Sequence, residues 1–315
     1  MRFSVIIPLY NKAPYVAKAI GSVLSQTYSD YEVVVMDDGS YDDSFAVALE
    51  AIKGHSNSRL YRQNNQGVSM ARNNAVDLSH GQFLCFLDAD DWWEPTFLEE
   101  MDKFMSEFPD AGIYGSNYII INETRRKTRV ASVGVDEGFE KGYINYCQVY
   151  AKTMYMPLWT GAVCIPRSVF AEMHGFPQGI KLGEDFLLWI RIALKYKAAF
   201  LNKPLAYYNQ DIEGANRGVG KLYQPQEHML WNLDFLEEEE KIDFDYKQLV
   251  DNLRTFCLMP YLVSKEYCSD AQRELDKVDW NRQPVEVRER YHKPIIWLRT
   301  EMWLRGIGSR LKQLL

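Results

Sequence analysis

Apolar residues follow two rhythms in the first part of the chain. Short β-branched runs, "FSVIIP" (3–8) and "YEVVVMDDGS" (31–40, ending at Asp37), read as buried strands. Between them "YVAKAIGSVLSQ" (15–26) sets Val16, Ile20, Val23 and Leu24 on one helical face behind Pro14. "DDSFAVALEAI" (42–52) reads as a second helix, with Asp42 or Asp43 available as its cap. "RLYRQ" (59–63) is a weak third strand, "GVSMARNNAVDLS" (67–79) a third helix, and "QFLCFLD" (82–88) a fourth strand. Strands alternating with helices at this spacing predict a parallel sheet covered on both faces.

The pattern then loosens. "PTFLEEMDKFMSEF" (95–108) is an amphipathic helix, "AGIYGSNYIIIN" (111–122) is strand-like, and 123–158 has no clear period. "TGAVCIPRSVFAEMHGF" (160–176) reads as strand, turn and short helix, "GEDFLLWIRIALKY" (183–196) as a helix, and "AAFLNKPLAYYNQ" (198–210) as a strand pair. Beyond Pro225 the chain reads as mostly helical, which places a boundary in "GANRGVGKLYQP" and divides it into 1–220 and 221–315.

Composition excludes several classes. A chain of 315 residues with a net charge of −7 is not expected to bind nucleic acid. No apolar run is long enough for a transmembrane helix, and the apolar start is too short for a signal peptide. Five scattered cysteines without a CxxC predict a reducing, cytoplasmic setting and no structural zinc. From Asn281 to Leu315, eight Lys or Arg stand against three Glu. Ile295, Leu298, Met302, Ile307, Leu311 and Leu314 fall near one face there. Such a basic amphipathic helix suits the inner face of an anionic membrane; packing on protein, or on a second copy, is the competing expectation.

In an open parallel sheet ligands bind at the carboxyl ends of the strands. Strand one ends in Pro8, Leu9, Tyr10 and Asn11, strand two in Asp37, Asp38, Gly39 and Ser40, and strand four in Asp88, Asp90 and Asp91. Singly these are ordinary turn and cap residues; jointly they favour a binding site. No GxGxxG follows strand one and no GxxxxGK[ST] occurs, so phosphates must be held another way. A divalent cation, Mn²⁺ or Mg²⁺, between Asp and phosphate oxygens would also explain the crowded negative charge.

The runs "FSVIIPLYNKAPYVAKAIGSVLSQTYSDYEVVVMDDGSYDDS", "NQGVSMARNNAVDLSHGQFLCFLDADDWWEP" and "GEDFLLWIRIAL" resemble family 2 glycosyltransferases of the GT-A fold, over roughly the first 210 residues. The resemblance implies a mostly parallel central sheet flanked by helices, with a nucleotide-sugar-binding half (1–110), an acceptor half (111–220) and a helical C-terminal extension. It further implies a metal-dependent, inverting transferase that takes a UDP-sugar donor to a saccharide or lipid-linked saccharide acceptor. The QxxRW of processive synthases is absent, so chain polymerisation is not expected.

Residue by residue, the resemblance puts Pro8 and Tyr10 at the base pocket and Asp38 on uracil, with Asp37 orienting the loop or touching ribose. Arg72 and Asn73 would face the nucleotide. In "DADD", Asp90 would be the direct metal ligand, Asp91 a second, and Asp88 would serve ribose or a metal-bound water. In "GEDF", Asp185 would be the general base and Glu184 would hold it or touch the acceptor. Trp92 and Trp93 read either as a sugar platform or as core, and "YYNQDIEGANRG" (207–218) as a lid.

Overall fold

The computed structural model describes residues 1–122, 127–211, 221–233, 239–301 and 304. The chain forms two compact units, Met1–Lys221 with Glu227–Met229, and Leu222–Gln226 with Leu230–Leu315.

The first unit is built on one sheet. Its strands are β1 Phe3–Leu9, β2 Tyr31–Asp37, β3 Ser58–Arg62, β4 Phe83–Phe86, β5 Trp92–Trp93, β6 Ala111–Asn122, β7 Lys127–Val130, β8 Lys141–Ile144, β9 Val163–Pro166 and β10 Lys197–Asn209. Their order is β3-β2-β1-β4-β9-β6-β10-β5, with β7 on β6 and β8 on β10. The block β3-β2-β1-β4 is parallel throughout. Beyond β4 the sheet is mixed, because β9 runs antiparallel to both β4 and β6 while β6 and β10 are parallel.

Every residue of β1 and β2 is buried, which accounts for their mostly apolar runs. The buried exceptions inside them, Ser4 and Glu32, satisfy each other, Ser4 Oγ donating to Glu32 Oε1 at 2.7 Å. Alternate residues serve opposite faces. Phe3, Val5, Ile7 and Leu9 join a core with Val16, Ile20 and Val23 of α1 (Val16–Leu24) and with Phe97, Met101 and Phe104. Phe86 lies level with Ile6 and packs on Phe170, Phe176 and Trp189 at 5.7, 5.0 and 6.4 Å. The remaining helices of this unit are α2 Ser44–Ala51, α3 Val68–Asp77, α4 Phe97–Glu107, α5 Tyr146–Thr153, α6 Arg167–Glu172 and α7 Glu184–Lys195.

Two expectations change. The strand pair at 198–210 is one long strand: Asn202-Lys203-Pro204 resembles a turn, but β10 absorbs it as register shifts between Leu201 and Ala206 while staying paired to β6. The patternless stretch 123–158 contains β7, β8 and α5. β7 is exposed at all four positions, so no apolar alternation announces it.

The second unit holds α8 Glu239–Ile242, α9 Phe244–Cys257, α10 Met259–Leu262, α11 Cys268–Leu275 and α12 Val285–Tyr291. Buried Arg254 sits among Glu240, Asp251 and Glu274, at 2.9, 3.4 and 3.3 Å. Residues 295–301 are helical, with Leu298 buried, Trp297 exposed, and the Arg299 Nε donating to the Val263 carbonyl. Met302, Ile307, Leu311 and Leu314 of the proposed stripe lie outside the described residues, as does 212–218 of the lid. Among the described residues no helix is long and apolar enough to cross a membrane.

Candidate active site

β1, β2 and β4 end at one rim, because Leu9 stands level with Asp37 and the chain leaves β4 just beyond the Ile6–Phe86 pair. Pro8 is buried within β1, whereas Tyr10, past its end, is exposed and meets Tyr41 edge to face at 6.1 Å. Asp38 is buried, and its carboxylate accepts from Gln63 Nε2, Gln66 N and Gly67 N, each at 2.8 Å. It therefore ties the loop before α3 to the end of β2. Gly39 allows the close approach: it has φ +75°, and a Cβ there would lie 3.0 Å from the Asn65 nitrogen. Fully buried Asp37 accepts from Ser40 N at 3.2 Å and pairs with Arg62 Nε at 3.1 Å. Gly39, Arg62, Gln63, Asn64 and Asn65 line an open hollow of about 650 Å³ beside them.

Two protein cations reach the rim's carboxylates. Lys12 Nζ donates to Asp90 Oδ2 at 2.5 Å. Arg72, 3% exposed, donates from Nη2 to Asp88 Oδ1 at 2.7 Å and from Nη1 to Glu184 Oε1 at 2.8 Å. Its guanidinium also lies 5.0 Å from the centre of the Phe176 ring. Burial opposes the Arg72 charge, but Asp88 and Glu184 outweigh burial and raise its pKa. Burial, with the Asp185 charge adding and Arg72 opposing, pushes Glu184 up to about 7. Asp90 is raised by burial, with Lys12 working against it and Asp88 reinforcing it.

Asp91 also reaches β10. Its Oδ1 accepts from Asn209 N at 2.7 Å, which fastens the end of β10 to the rim. Burial and the charges of Asp90 and Asp88 raise it well above the usual carboxylate range. Asn73 is occupied too: its Nδ2 donates to the Phe176 carbonyl at 2.9 Å and its Oδ1 accepts from Phe176 N at 3.0 Å. Asp91 and Asn73 thus each make hydrogen bonds that tie parts of the fold to the rim. Asp185, in the first turn of α7, accepts from Phe186 N at 2.8 Å on Oδ1 and from Thr160 Oγ1 at 2.6 Å on Oδ2.

Among the described residues no three or more His, Cys, Asp or Glu side chains are arranged to hold a metal ion. A magnesium-type site does not require that arrangement, since such ions take one or two carboxylates and complete their shell with phosphate oxygens and water. Asp88 and Asp90 fit the need. Each already draws a protein cation, and Asp88 keeps a third of its side chain exposed.

The two tryptophans divide. Trp93 is core: it is stacked on Phe97 at 4.0 Å, and its Nε1 donates to the Gly161 carbonyl at 2.6 Å. Half-buried Trp92 stacks on Tyr207 at 5.2 Å, with Lys18 Nζ above its ring. Lys12, Thr160 and the 63–67 loop escaped the sequence reading. Lys12 had a signal, being the next residue after the rim's Asn11; Thr160 had none.

The glycosyl transferase family 2 profile matches residues 4–162, half of the chain. The chain belongs to this family. GlyA of Streptococcus pneumoniae is 32% identical over 215 residues, spanning 66% of this chain and 30% of that protein. An uncharacterized glycosyltransferase of Rickettsia felis is 31% identical over 208 residues, 65% of this chain and 32% of its own length. The chain thus spans about a third of these curated relatives. Crystalline S. aureus TarS 1-349 with UDP-GlcNAc superimposes with a TM-score of 0.69 over 87% of this chain and 78% of its own, at 20% identity. That likeness establishes the GT-A architecture for this family 2 chain: a central sheet flanked by helices, followed by C-terminal helices.

Proposed function

We propose that this family 2 protein is a metal-dependent, inverting, non-processive glycosyltransferase. It moves a sugar from a UDP-sugar to a hydroxyl of a saccharide or lipid-linked saccharide in the cytoplasm. The observation that carries the reading is Arg72, which joins Asp88 after β4 to Glu184 at the start of α7. A donor-binding acid and the acid pair of α7 therefore face one centre. The TarS crystal with UDP-GlcNAc supports a nucleotide-sugar donor for the shared architecture.

In this reading the base rests by Pro8 and Tyr10. Three of the roughly four acceptor positions of the Asp38 carboxylate are filled by the 63–67 loop, which leaves one for the uracil imide N–H. Asp37 holds the loop through Ser40 and Arg62. Asp90 and Asp88 would hold Mn²⁺ or Mg²⁺, which would supply positive charge to offset the departing diphosphate. Asp91 and Asn73 act behind these groups, through Asn209 and Phe176. The acceptor oxygen attacks the anomeric carbon while the bond to diphosphate breaks, and Asp185 takes the hydroxyl proton. One displacement inverts the centre. Glu184, tied to Arg72, keeps the first turn of α7 in place beside Asp185.

The competing reading is a nucleotide-sugar-binding domain without turnover. A panel of UDP-, GDP- and dTDP-sugars, scored for thermal stabilisation with Mn²⁺ or EDTA and then for UDP release, tests both. Stabilisation by UDP-sugars in Mn²⁺ with UDP release is expected. Equal stabilisation in EDTA would remove the metal, and binding without release would favour the silent domain.

A further inference from the structure

We propose that Thr160 is the positioning residue for the Asp185 carboxylate, and that Trp93 holds the turn that carries it. This rests on Asp185 being the base. The Thr160 Oγ1–Asp185 Oδ2 separation of 2.6 Å falls in the range of hydroxyl donors to ionised acceptors. Thr160 is 2% exposed while Asp185 is half-buried, so the hydroxyl side of the bond is shielded and the carboxylate keeps access to the site. With Phe186 N on Oδ1, each carboxylate oxygen has one fixed donor, and the side chain is held in one rotamer. The lone pairs left over then point in set directions, as proton transfer from a hydroxyl requires.

The turn Thr160–Ala162 is itself braced. Ala162 N donates to the Trp159 carbonyl at 2.8 Å, and Trp93 Nε1 donates to the Gly161 carbonyl at 2.6 Å. A Cβ on Gly161 would lie 2.4 Å from the Trp159 ring, so the residue after Thr160 must be glycine for the turn to close this tightly. Trp93 stands two residues beyond Asp91, so the acid-rich rim and the base share one brace. During transfer the acceptor oxygen gives its electron pair to the new carbon–oxygen bond, and its proton passes to Asp185. The diphosphate leaves with the pair of the old bond. Because a hydroxyl both donates and accepts, Thr160 can stay bonded to Asp185 in either protonation state.

The test compares Thr160→Val, which keeps shape without the hydroxyl, with Thr160→Ser, which restores it. UDP release from UDP-GlcNAc, with water as acceptor, is measured across donor concentrations. Thr160→Val is expected to lower kcat roughly tenfold or more and to leave the donor KM unchanged, as loss of a group that only orients the base does. Thr160→Ser should recover most of the rate. A double variant separates positioning from packing. In an Asp185→Asn background Thr160→Val should cost less than about threefold further, because the carboxylate it orients is already gone. A donor KM that rises in step with the fall in kcat, no rescue by serine, or the full loss repeated in the Asp185→Asn background would each overturn the proposal. If Asp185→Asn turns over like wild type, the base itself is misassigned and this inference falls with it. If Asp185→Asn is slow while Thr160→Val keeps the wild-type rate, only the present inference falls.

Discussion

Replacing Arg72 by methionine removes the charge that joins the two acidic elements, and the guanidinium over Phe176 with it, while keeping an unbranched apolar stem. Asp88 has a third of its side chain exposed and can rehydrate, but Glu184 is nearly buried and cannot. Breaking one side of a buried ion pair costs about 3–5 kcal/mol when the remaining charge stays ionised. Glu184 has an escape, because even beside Arg72 burial and the neighbouring Asp185 charge push it up to about 7. Below that pH both proteins hold Glu184 protonated, and the variant loses only hydrogen bonding, about 1–3 kcal/mol. Above it wild-type Glu184 ionises in the folded and unfolded states alike. In the variant the folded protein keeps the proton while the unfolded chain releases it. The unfolded state then binds fewer protons, so the variant's stability falls with pH by up to about 1.4 kcal/mol per unit relative to wild type. Urea unfolding followed by tryptophan fluorescence at pH 6, 7 and 8 should show a gap near 2 kcal/mol at pH 6 that widens by about 1 kcal/mol at pH 8. Adding Glu184→Gln should abolish the widening. A gap that is constant, or that closes as pH rises, would refute the buried-pair reasoning.

Asp90→Ala should abolish Mn²⁺-dependent UDP binding in calorimetry while far-UV circular dichroism stays unchanged; wild-type-like affinity in Mn²⁺ would count against the metal assignment. Lys12→Gln frees Asp90 from its 2.5 Å partner, so Mn²⁺ alone should bind more tightly than to wild type, and unchanged titration would show that Lys12 does not compete for that carboxylate. Asp185→Asn should keep UDP affinity yet slow turnover by roughly two to four decades, the usual worth of a positioned base. A residue that only ties down the first turn of α7 would tolerate asparagine, so near-normal rates would move the base elsewhere.

The first four strands and three helices were legible because burial on one or both faces writes itself into local spacing. β1 and β2 are apolar runs interrupted by Ser4 and Glu32, and α1 carries its stripe at Val16, Ile20 and Val23. The rim acids were legible for a related reason: an apolar strand ending in three carboxylates is a local contradiction that a cation resolves. β7 was not legible, since an exposed edge strand buries nothing that would pattern it. The continuity of β10 through Pro204 was hidden as well, because β6 supplies the pairing that turns an apparent corner into a bulge.

Local spacing predicted the parallel block, the quoted motifs carried the resemblance to the family, and both marked which acids lie at the strand ends. Only tertiary structure decided what those acids touch. Asp91 was turned to the Asn209 backbone, Asp38 to the loop at 63–67, and Asp88 to an arginine that also holds Glu184, 112 residues further along than itself. Hydrophobic periodicity is set by neighbours three or four positions away, so it records which face is buried. A hydrogen bond between residues a hundred positions apart leaves no such trace, because either partner would fit the local pattern equally well without the other.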